Sequence, residues 1–79
     1  MLTVYTKDGC VHCQYIKDKL TYHEIPFRLK ELDKDVTLEW LKETFPHARS
    51  FPIVESVNGT MMTKGEVDNY IQERTKYDD

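Results

Sequence analysis

Residues 2–13 read LTVYTKDGCVHC, and this stretch decides the fold. Its first five residues are rich in β-branched and aromatic side chains, which predicts a short strand. Gly9 breaks that strand, and a run without proline or glycine extends from Cys10 to about His23. Apolar side chains recur in this run at helical spacing, so a helix is predicted to begin near Cys10. A strand, a tight turn and a helix that begins at a Cys-x-x-Cys pair indicate a redox site.

The spacing of Cys10 and Cys13 suits thiol chemistry. Two intervening residues place both sulfurs on one helical turn, close enough to form a disulfide. A helix N-terminus carries a partial positive charge and unpaired N–H groups, which stabilise a thiolate. Lys7 precedes Cys10 by three residues and could add a second positive charge. We therefore expect Cys10 to attack a substrate disulfide and Cys13, one turn deeper and protonated, to resolve the mixed disulfide.

Other interpretations of the cysteine pair remain open. A closed zinc site needs four ligands, whereas the pair supplies two and the histidines lack zinc-finger spacing. Haem attachment would need a histidine after Cys13, where the sequence has Gln14. Two unreactive core cysteines are a third interpretation, although the turn before Cys10 is expected to expose its side chain. His12 could raise the thiolate character of Cys10 or could face solvent and contact only substrate, and its position favours the second.

The remaining elements follow from the same kind of pattern. A second helix is predicted to begin at a cap formed by Asp35 or Thr37 and to end at Pro46. Asn58-Gly59 predicts a two-residue hairpin turn. Further strands are predicted at 26–32, 52–57 and 60–63, and a last helix from Gly65. A parallel βαβ unit followed by αββα predicts an α/β fold with a four-stranded mixed sheet flanked by three helices.

Length and composition exclude several classes of function. The 79 residues form a single domain, 1–79, because so short a chain has room for only one small core. The net charge is −3 and no basic run occurs, which argues against nucleic-acid binding. No apolar run approaches the roughly 20 residues that span a membrane, and no signal-peptide core is visible. A cytoplasmic location is therefore expected, where cysteines are more often catalytic or metal-binding than permanently bridged.

Pro52 opens the predicted third strand and allows two interpretations. A proline can begin a strand because its missing N–H need not join the hydrogen-bonded ladder. The functional interpretation is a cis Phe51-Pro52 bond that presents the backbone of Phe51 to the sulfurs. Base rates alone favour the trans bond.

With these motifs, the sequence resembles the glutaredoxins of the thioredoxin superfamily over nearly its whole length. The Cys10-x-x-Cys13 pair follows the first strand as it does in that family. Residues 50–52, Ser-Phe-Pro, stand where the family has Thr-Val-Pro with a cis proline. Residues 65–68, Gly-Glu-Val-Asp, stand where it has Gly-Gly-aromatic-Asp. The resemblance implies the thioredoxin/glutaredoxin fold, a cis Phe51-Pro52 bond and a monomeric, electron-carrying thiol–disulfide oxidoreductase.

The resemblance also implies a glutathione site and a set of partners. Glutathione would serve as the reducing co-substrate, with no bound cofactor and no metal. Protein disulfides, such as that of ribonucleotide reductase, would be the substrates. Lys7 would meet the glycyl carboxylate, the Phe51 backbone the cysteinyl part, and the N–H of Asp68 the γ-glutamyl carboxylate. The full set of expected contacts is Lys7, His12, Phe51, Pro52, Val67 and Asp68.

Departures from the family pattern leave two alternatives. Val11 and His12 replace the usual Pro and Tyr, Phe51 is bulkier than Val, and Glu66 replaces the second glycine, where it could repel a carboxylate of glutathione. Val11 and the missing Gly-Gly pair also resemble the small hydrogen donors of ribonucleotide reductase, which thioredoxin reductase reduces. A metal or iron–sulfur binding module is the alternative from another class, although Cys13 argues against it because cluster carriers often have a single cysteine.

Overall fold

The computed structural model describes residues 1–75. The elements are β1 Leu2–Thr6, α1 Val11–Tyr22, β2 Phe27–Glu31, α2 Leu38–Thr44, β3 Ile53–Glu55, β4 Met61–Met62 and α3 Lys64–Thr75. This βαβαββα order confirms the sequence prediction. The last two strands are shorter than expected, because the residues on either side of them join a turn or a cap. None of these helices combines the length and the apolar composition that crossing a bilayer requires.

The four strands form one sheet in the order β2-β1-β3-β4. β1 runs parallel to β2, from Leu2 opposite Phe27 to Thr6 opposite Glu31. β3 runs antiparallel to both β1 and β4. The predicted mixed sheet is therefore confirmed. Since β1 has a neighbour on each side, it lies inside the sheet, and the loop after Thr6 leads directly to the cysteine pair.

Two apolar clusters hold the helices against the two faces of this sheet. α1 and α3 share one face, whose buried residues are Leu2, Val4, Ile16, Leu20, Ile25, Val54, Val67 and Ile71. α2 covers the other face, where Tyr5, Leu41, Phe45 and Ile53 are buried. On that second face Tyr5 packs its ring against Trp40 and Phe45, with centroids 5.8 and 5.4 Å away. Because α1 and α3 lie on the same face, their first turns can line one groove.

The side chain of Tyr5 also forms a polar link across the second face. Its hydroxyl donates a hydrogen bond of 2.7 Å to Oε1 of Glu55. Burial of the ring, followed by the hydrogen bond and the charge of Glu55, raises the pKa of Tyr5 well above its usual range. The phenol therefore remains neutral and satisfied inside the fold.

The C-terminus of α1 ends in a Schellman motif. The N–H of Ile25 donates to the carbonyl of Leu20 at 2.9 Å, and the N–H of Glu24 donates to that of Thr21 at 3.0 Å. Glu24 has a φ of 57°, the left-handed conformation that this motif requires. Ile25 and Leu20 are both buried in the same cluster, which is the apolar contact typical of the motif. The motif turns the chain towards β2.

The hairpin between β3 and β4 differs from the prediction. The N–H of Ser56 donates to the carbonyl of Thr60 at 2.8 Å, so the loop has three residues, 57–59. Gly59 has a φ of 84°, whereas Asn58 is not among the residues with positive φ. A two-residue type I′ turn needs positive φ at both central residues. The two-residue turn at Asn58-Gly59 is therefore wrong, and Gly59 instead closes a three-residue loop.

Candidate active site

The sulfurs of Cys10 and Cys13 are joined in a disulfide, with Cα atoms 5.2 Å apart. Cys10 is the N-cap residue of α1 in extended conformation, and Cys13 lies on the first turn. Cys10 is half-buried, whereas Cys13 is only 2% exposed. This difference in exposure is the one that the roles of attacking and resolving thiol require.

The start of α1 is electrostatically prepared for a thiolate. The backbone N–H of Cys13 donates a hydrogen bond of 3.1 Å to Sγ of Cys10, so the sulfur itself caps the helix. No acidic residue occurs in the first turn of α1. The partial positive charge of this helix end is therefore not offset within the first turn, and it stabilises negative charge on Cys10 when the disulfide is reduced.

Lys7 and Phe51 lie together beside the cysteines. Nζ of Lys7 is 5.6 Å from the centroid of the Phe51 ring, within the range of a cation–π contact. Lys7 also lines a small pocket of about 400 Å³ together with Cys10 and Cys13. The Phe51-Pro52 bond is cis, as the resemblance implied.

A larger groove of about 720 Å³ runs between the first turn of α1, the start of β3 and the first turn of α3. It is lined by five of the six expected glutathione contacts, namely His12, Phe51, Pro52, Val67 and Asp68. Lys7 and the cysteines line the smaller pocket instead, and Val11 lines both. The expected residues thus fall on two adjoining depressions that Val11 separates.

Asp68 lies one residue further into α3 than the sequence predicted. α3 begins at Lys64, so Asp68 is the fifth helical residue, beyond the turn whose N–H groups lack partners. The expected contact between its N–H and a γ-glutamyl carboxylate stays a prediction. Nζ of Lys19 lies 3.2 Å from Oδ1 of Asp68 and joins α1 to α3. This hydrogen bond to the carboxylate raises the pKa of Lys19.

Glu66 closes a capping box at the start of α3. The N–H of Glu66 donates to Oγ1 of Thr63 at 3.2 Å, and the N–H of Thr63 donates to Oε1 of Glu66 at 3.1 Å. The carboxylate of Glu66 is thus held on the cap, and Glu66 does not line the groove. The pattern Thr63-x-x-Glu66 is the sequence signature of this motif. It was missed because the helix was expected to begin at Gly65.

Tyr15 and Lys64 also line the groove, although neither is a site residue predicted from the sequence. Tyr15 is 58% exposed and follows Val11 by one helical turn. This spacing places both side chains on one face of α1, from which Tyr15 could have been predicted as a site residue. Nζ of Lys19 lies 5.8 Å from the Tyr15 ring centroid. Lys64 carried no comparable signal, because an exposed lysine in a first turn is ordinary.

Within residues 1–75, no group of three or more His, Cys, Asp or Glu side chains is placed to hold a metal ion. The cysteine pair alone supplies two ligands, where a closed zinc site needs four.

Comparisons with known proteins identify the fold and the family of the chain. The chain is similar to the thioredoxin-like protein BC3987, whose crystal structure matches with a TM-score of 0.68 and 19% identity over 91% of this chain and 97% of that one. At this identity the likeness establishes a thioredoxin-like fold. No curated protein sequence matches the chain. A family model for glutaredoxin matches residues 2–62, which include the cysteine pair and the cis proline. The chain therefore belongs to the glutaredoxin family of thiol–disulfide oxidoreductases.

Proposed function

We propose that the chain is a glutathione-dependent oxidoreductase that reduces protein disulfides and glutathione mixed disulfides. One observation carries the proposal. The Cys10–Cys13 disulfide caps α1 with one half-buried sulfur and one that is almost fully buried. Cys10 is therefore the sulfur more open to a substrate, and Cys13 lies within bonding distance of it.

The reaction divides between these two sulfurs. The thiolate of Cys10 attacks a substrate disulfide, so a Cys10–substrate disulfide forms and the other substrate sulfur leaves as a thiolate that takes up a proton. With a protein substrate, Cys13 loses its proton and attacks Cys10, which releases the second substrate thiol and forms the Cys10–Cys13 disulfide. Two electrons have then passed to the substrate. Two glutathione molecules restore the dithiol and become one oxidised glutathione.

A glutathione mixed disulfide needs only Cys10. The thiolate attacks the glutathionyl sulfur, the protein thiol leaves, and Cys10 carries glutathione. A second glutathione then attacks that sulfur, regenerates Cys10 and leaves as oxidised glutathione. The groove supports this scheme, because its apolar lining and the nearby Lys7 suit a small anionic peptide. A cytoplasmic monomer that donates electrons to ribonucleotide reductase is the physiological form that we propose.

A second candidate function has its own supporting observation. Val11 is 79% exposed between the two depressions, in the position where the resembling hydrogen donors also carry valine. In that function thioredoxin reductase, rather than glutathione, would reduce the Cys10–Cys13 disulfide.

One experiment separates the two candidates. The oxidised protein is mixed with glutathione, glutathione reductase and NADPH, or with thioredoxin reductase and NADPH, and NADPH oxidation is followed in the presence of a disulfide substrate. We expect turnover with glutathione, and none with Cys10→Ser. Turnover only with thioredoxin reductase would establish the second candidate. Turnover with neither would refute both, and a visible absorbance band in freshly purified protein would then favour a cluster carrier.

A further inference from the structure

Lys17 follows Cys13 by one turn of α1 and lines the same small pocket. That pocket of about 400 Å³ is also lined by both cysteines. Residues four apart on a helix are neighbours, about 5–6 Å apart at Cβ. Because helical side chains lean towards the N-terminus, Lys17 extends back over the turn that contains Cys13. Lys17 is half-buried, which agrees with a side chain that lies along the helix surface.

The charge of Lys17 is not neutralised by a neighbouring carboxylate. Within residues 1–75, neither of the ion pairs includes its ammonium group. The acidic residue next to it, Asp18, accepts a hydrogen bond of 2.8 Å from Nε2 of Gln14. His12 lines the larger groove and not this pocket. Lys17 therefore carries a positive charge without an ion-pair partner beside the cysteine pair.

The other charged groups at the pocket have contacts of their own. The charged side chains that line it are Lys7, Asp8 and Lys17. Asp8 also acts on Lys34 in the loop after β2, whose pKa is raised first by its hydrogen bond to Glu31, then by the charge of Glu31 and then by that of Asp8. Lys7 lies over the ring of Phe51. The third side chain is the one on α1, on the helix face of the resolving cysteine.

Cys13 has to lose its proton before it can attack Cys10. It is only 2% exposed, and burial opposes the formation of a thiolate. The first-turn N–H of Cys13 donates to Sγ of Cys10, so this cap serves the attacking sulfur and not the resolving one. A cation one turn further along the helix offsets the burial of Cys13.

We propose that Lys17 stabilises the thiolate of Cys13 and thereby promotes the step that resolves the mixed disulfide. In that step Cys13 gives its proton to water, and its sulfur attacks Sγ of Cys10. The substrate sulfur leaves with the electron pair of the broken bond. Lys17 keeps its own proton and acts by charge alone. The inference rests on the proposed two-cysteine reaction, but it is independent of which reductant restores the dithiol.

The test follows both thiol steps in one stopped-flow experiment. Pre-reduced protein is mixed with an excess of dithiodipyridine, a neutral disulfide whose thiopyridone leaving group absorbs light. Attack by Cys10 releases the first thiopyridone at a rate proportional to the reagent concentration. Attack by Cys13 on the mixed disulfide releases the second at a rate independent of that concentration. Both rates are measured from mildly acid to alkaline pH.

Lys17→Met should slow the second phase about three-fold at mildly acid pH and change the first phase much less. An adjacent cation raises the thiolate fraction about ten-fold, and the lower nucleophilicity of a stabilised thiolate cancels roughly half of this gain on a logarithmic scale. At alkaline pH, where Cys13 is ionised in both proteins, the difference should disappear.

Two further variants separate charge from packing. Lys17→Arg keeps the charge and should retain the second phase of wild type. Lys42→Met removes the same charge from an exposed position on α2, across the sheet, and should change neither phase. Thermal melting of each variant shows that a slower phase is not caused by unfolding.

Three outcomes overturn the inference. Lys17→Met slows both phases equally, its slowing persists undiminished at alkaline pH, or Lys17→Arg is as slow as Lys17→Met. A wild-type protein that releases only one thiopyridone also overturns it, because Cys13 then resolves nothing. Failure of glutathione as the reductant is a different result, since it stops NADPH oxidation and leaves both phases as they are.

Discussion

The starts of α1 and α3 solve the same structural problem in different ways. Both first turns line the same groove, and both helices need acceptors for their leading N–H groups. At α1 the acceptor is the sulfur of Cys10, and no acidic residue follows in the first turn. At α3 the acceptors are the hydroxyl of Thr63 and the carboxylate of Glu66. One cap retains the positive charge of the helix end for chemistry, and the other neutralises it for stability.

This difference has a cost at α1, because sulfur is a weak hydrogen-bond acceptor. The helix recovers its stability elsewhere. Its C-terminus has the Schellman motif around Glu24, and its side chains Ile16 and Leu20 are buried against the sheet. We infer that α1 is held from its middle and its end, which leaves its start available for reaction.

The largest expected effect comes from removing the reactive cap. Cys10→Ser should reduce disulfide reduction to the uncatalysed background, because no other exposed sulfur can attack. Cys13→Ser should retain exchange with glutathione mixed disulfides, since one thiol suffices there. Release of a reporter peptide from its mixed disulfide with glutathione measures this directly. The assignment is refuted if Cys13→Ser loses that exchange, or if alkylation of the reduced protein near neutral pH labels Cys13 before Cys10.

Removing the structural cap should affect stability and not chemistry. Thr63→Ala should lower the free energy of unfolding by about 1 kcal/mol. For a domain of this size that corresponds to a loss of about 4–8 °C in Tm. The rate of Cys10 alkylation should not change. Thr44→Ala, an exposed threonine at the end of α2, is the control and should stay within about 0.5 kcal/mol of wild type. An unchanged Tm in Thr63→Ala would contradict the capping box.

The end of α1 can be strengthened to sharpen the contrast with its start. Glu24 has a φ of 57°, which glycine adopts without a steric penalty. Glu24→Gly should therefore raise stability by about 0.5–1 kcal/mol, measured by urea unfolding. Glu43→Gly, inside α2, should instead lower it by about 1 kcal/mol. If both variants destabilise the protein, the conformation of Glu24 does not limit its stability.

The smallest expected effect comes from giving α1 the acidic first turn that α3 has. Val11→Glu places a carboxylate at the first helical position, on a side chain that is 79% exposed. A negative charge there interacts with the helix end by about 0.3–1 kcal/mol and weakens the stabilisation of the Cys10 thiolate by a similar amount. Alkylation of Cys10 by iodoacetamide near neutral pH should slow by about two- to five-fold. Val11→Gln is the neutral control, and equal slowing by both variants would show a steric rather than an electrostatic cause.

Much of the fold could be predicted because its signals are local. The β-branched run before Gly9 predicts β1, and the spacing from Cys10 predicts α1. The resemblance supplied the cis Phe51-Pro52 bond, against base rates. The hairpin failed because a turn type depends on the φ of each residue, and Asn58-Gly59 fits a three-residue loop as well as a two-residue one.

The site was predicted less completely, because its contacts join distant parts of the chain. Lys19 and Asp68 are 49 residues apart in sequence, and no local sequence pattern predicts the ion pair that joins them. The pattern Thr63-x-x-Glu66 predicts the start of α3, but the helix was placed from Gly65, one residue too late. That error placed Asp68 one residue nearer the start of α3 than the structure does.

The aromatic cluster on the α2 face determines what ultraviolet fluorescence can report. Trp40 is the single tryptophan of the chain, and it packs against Tyr5 and Phe45. None of these three rings lines the groove. Emission from Trp40 will therefore report the docking of α2 and the unfolding of the sheet. It should change little when a ligand binds in the groove. Ligand titrations need a reporter on the opposite face, where Tyr15 offers a position for an introduced fluorophore.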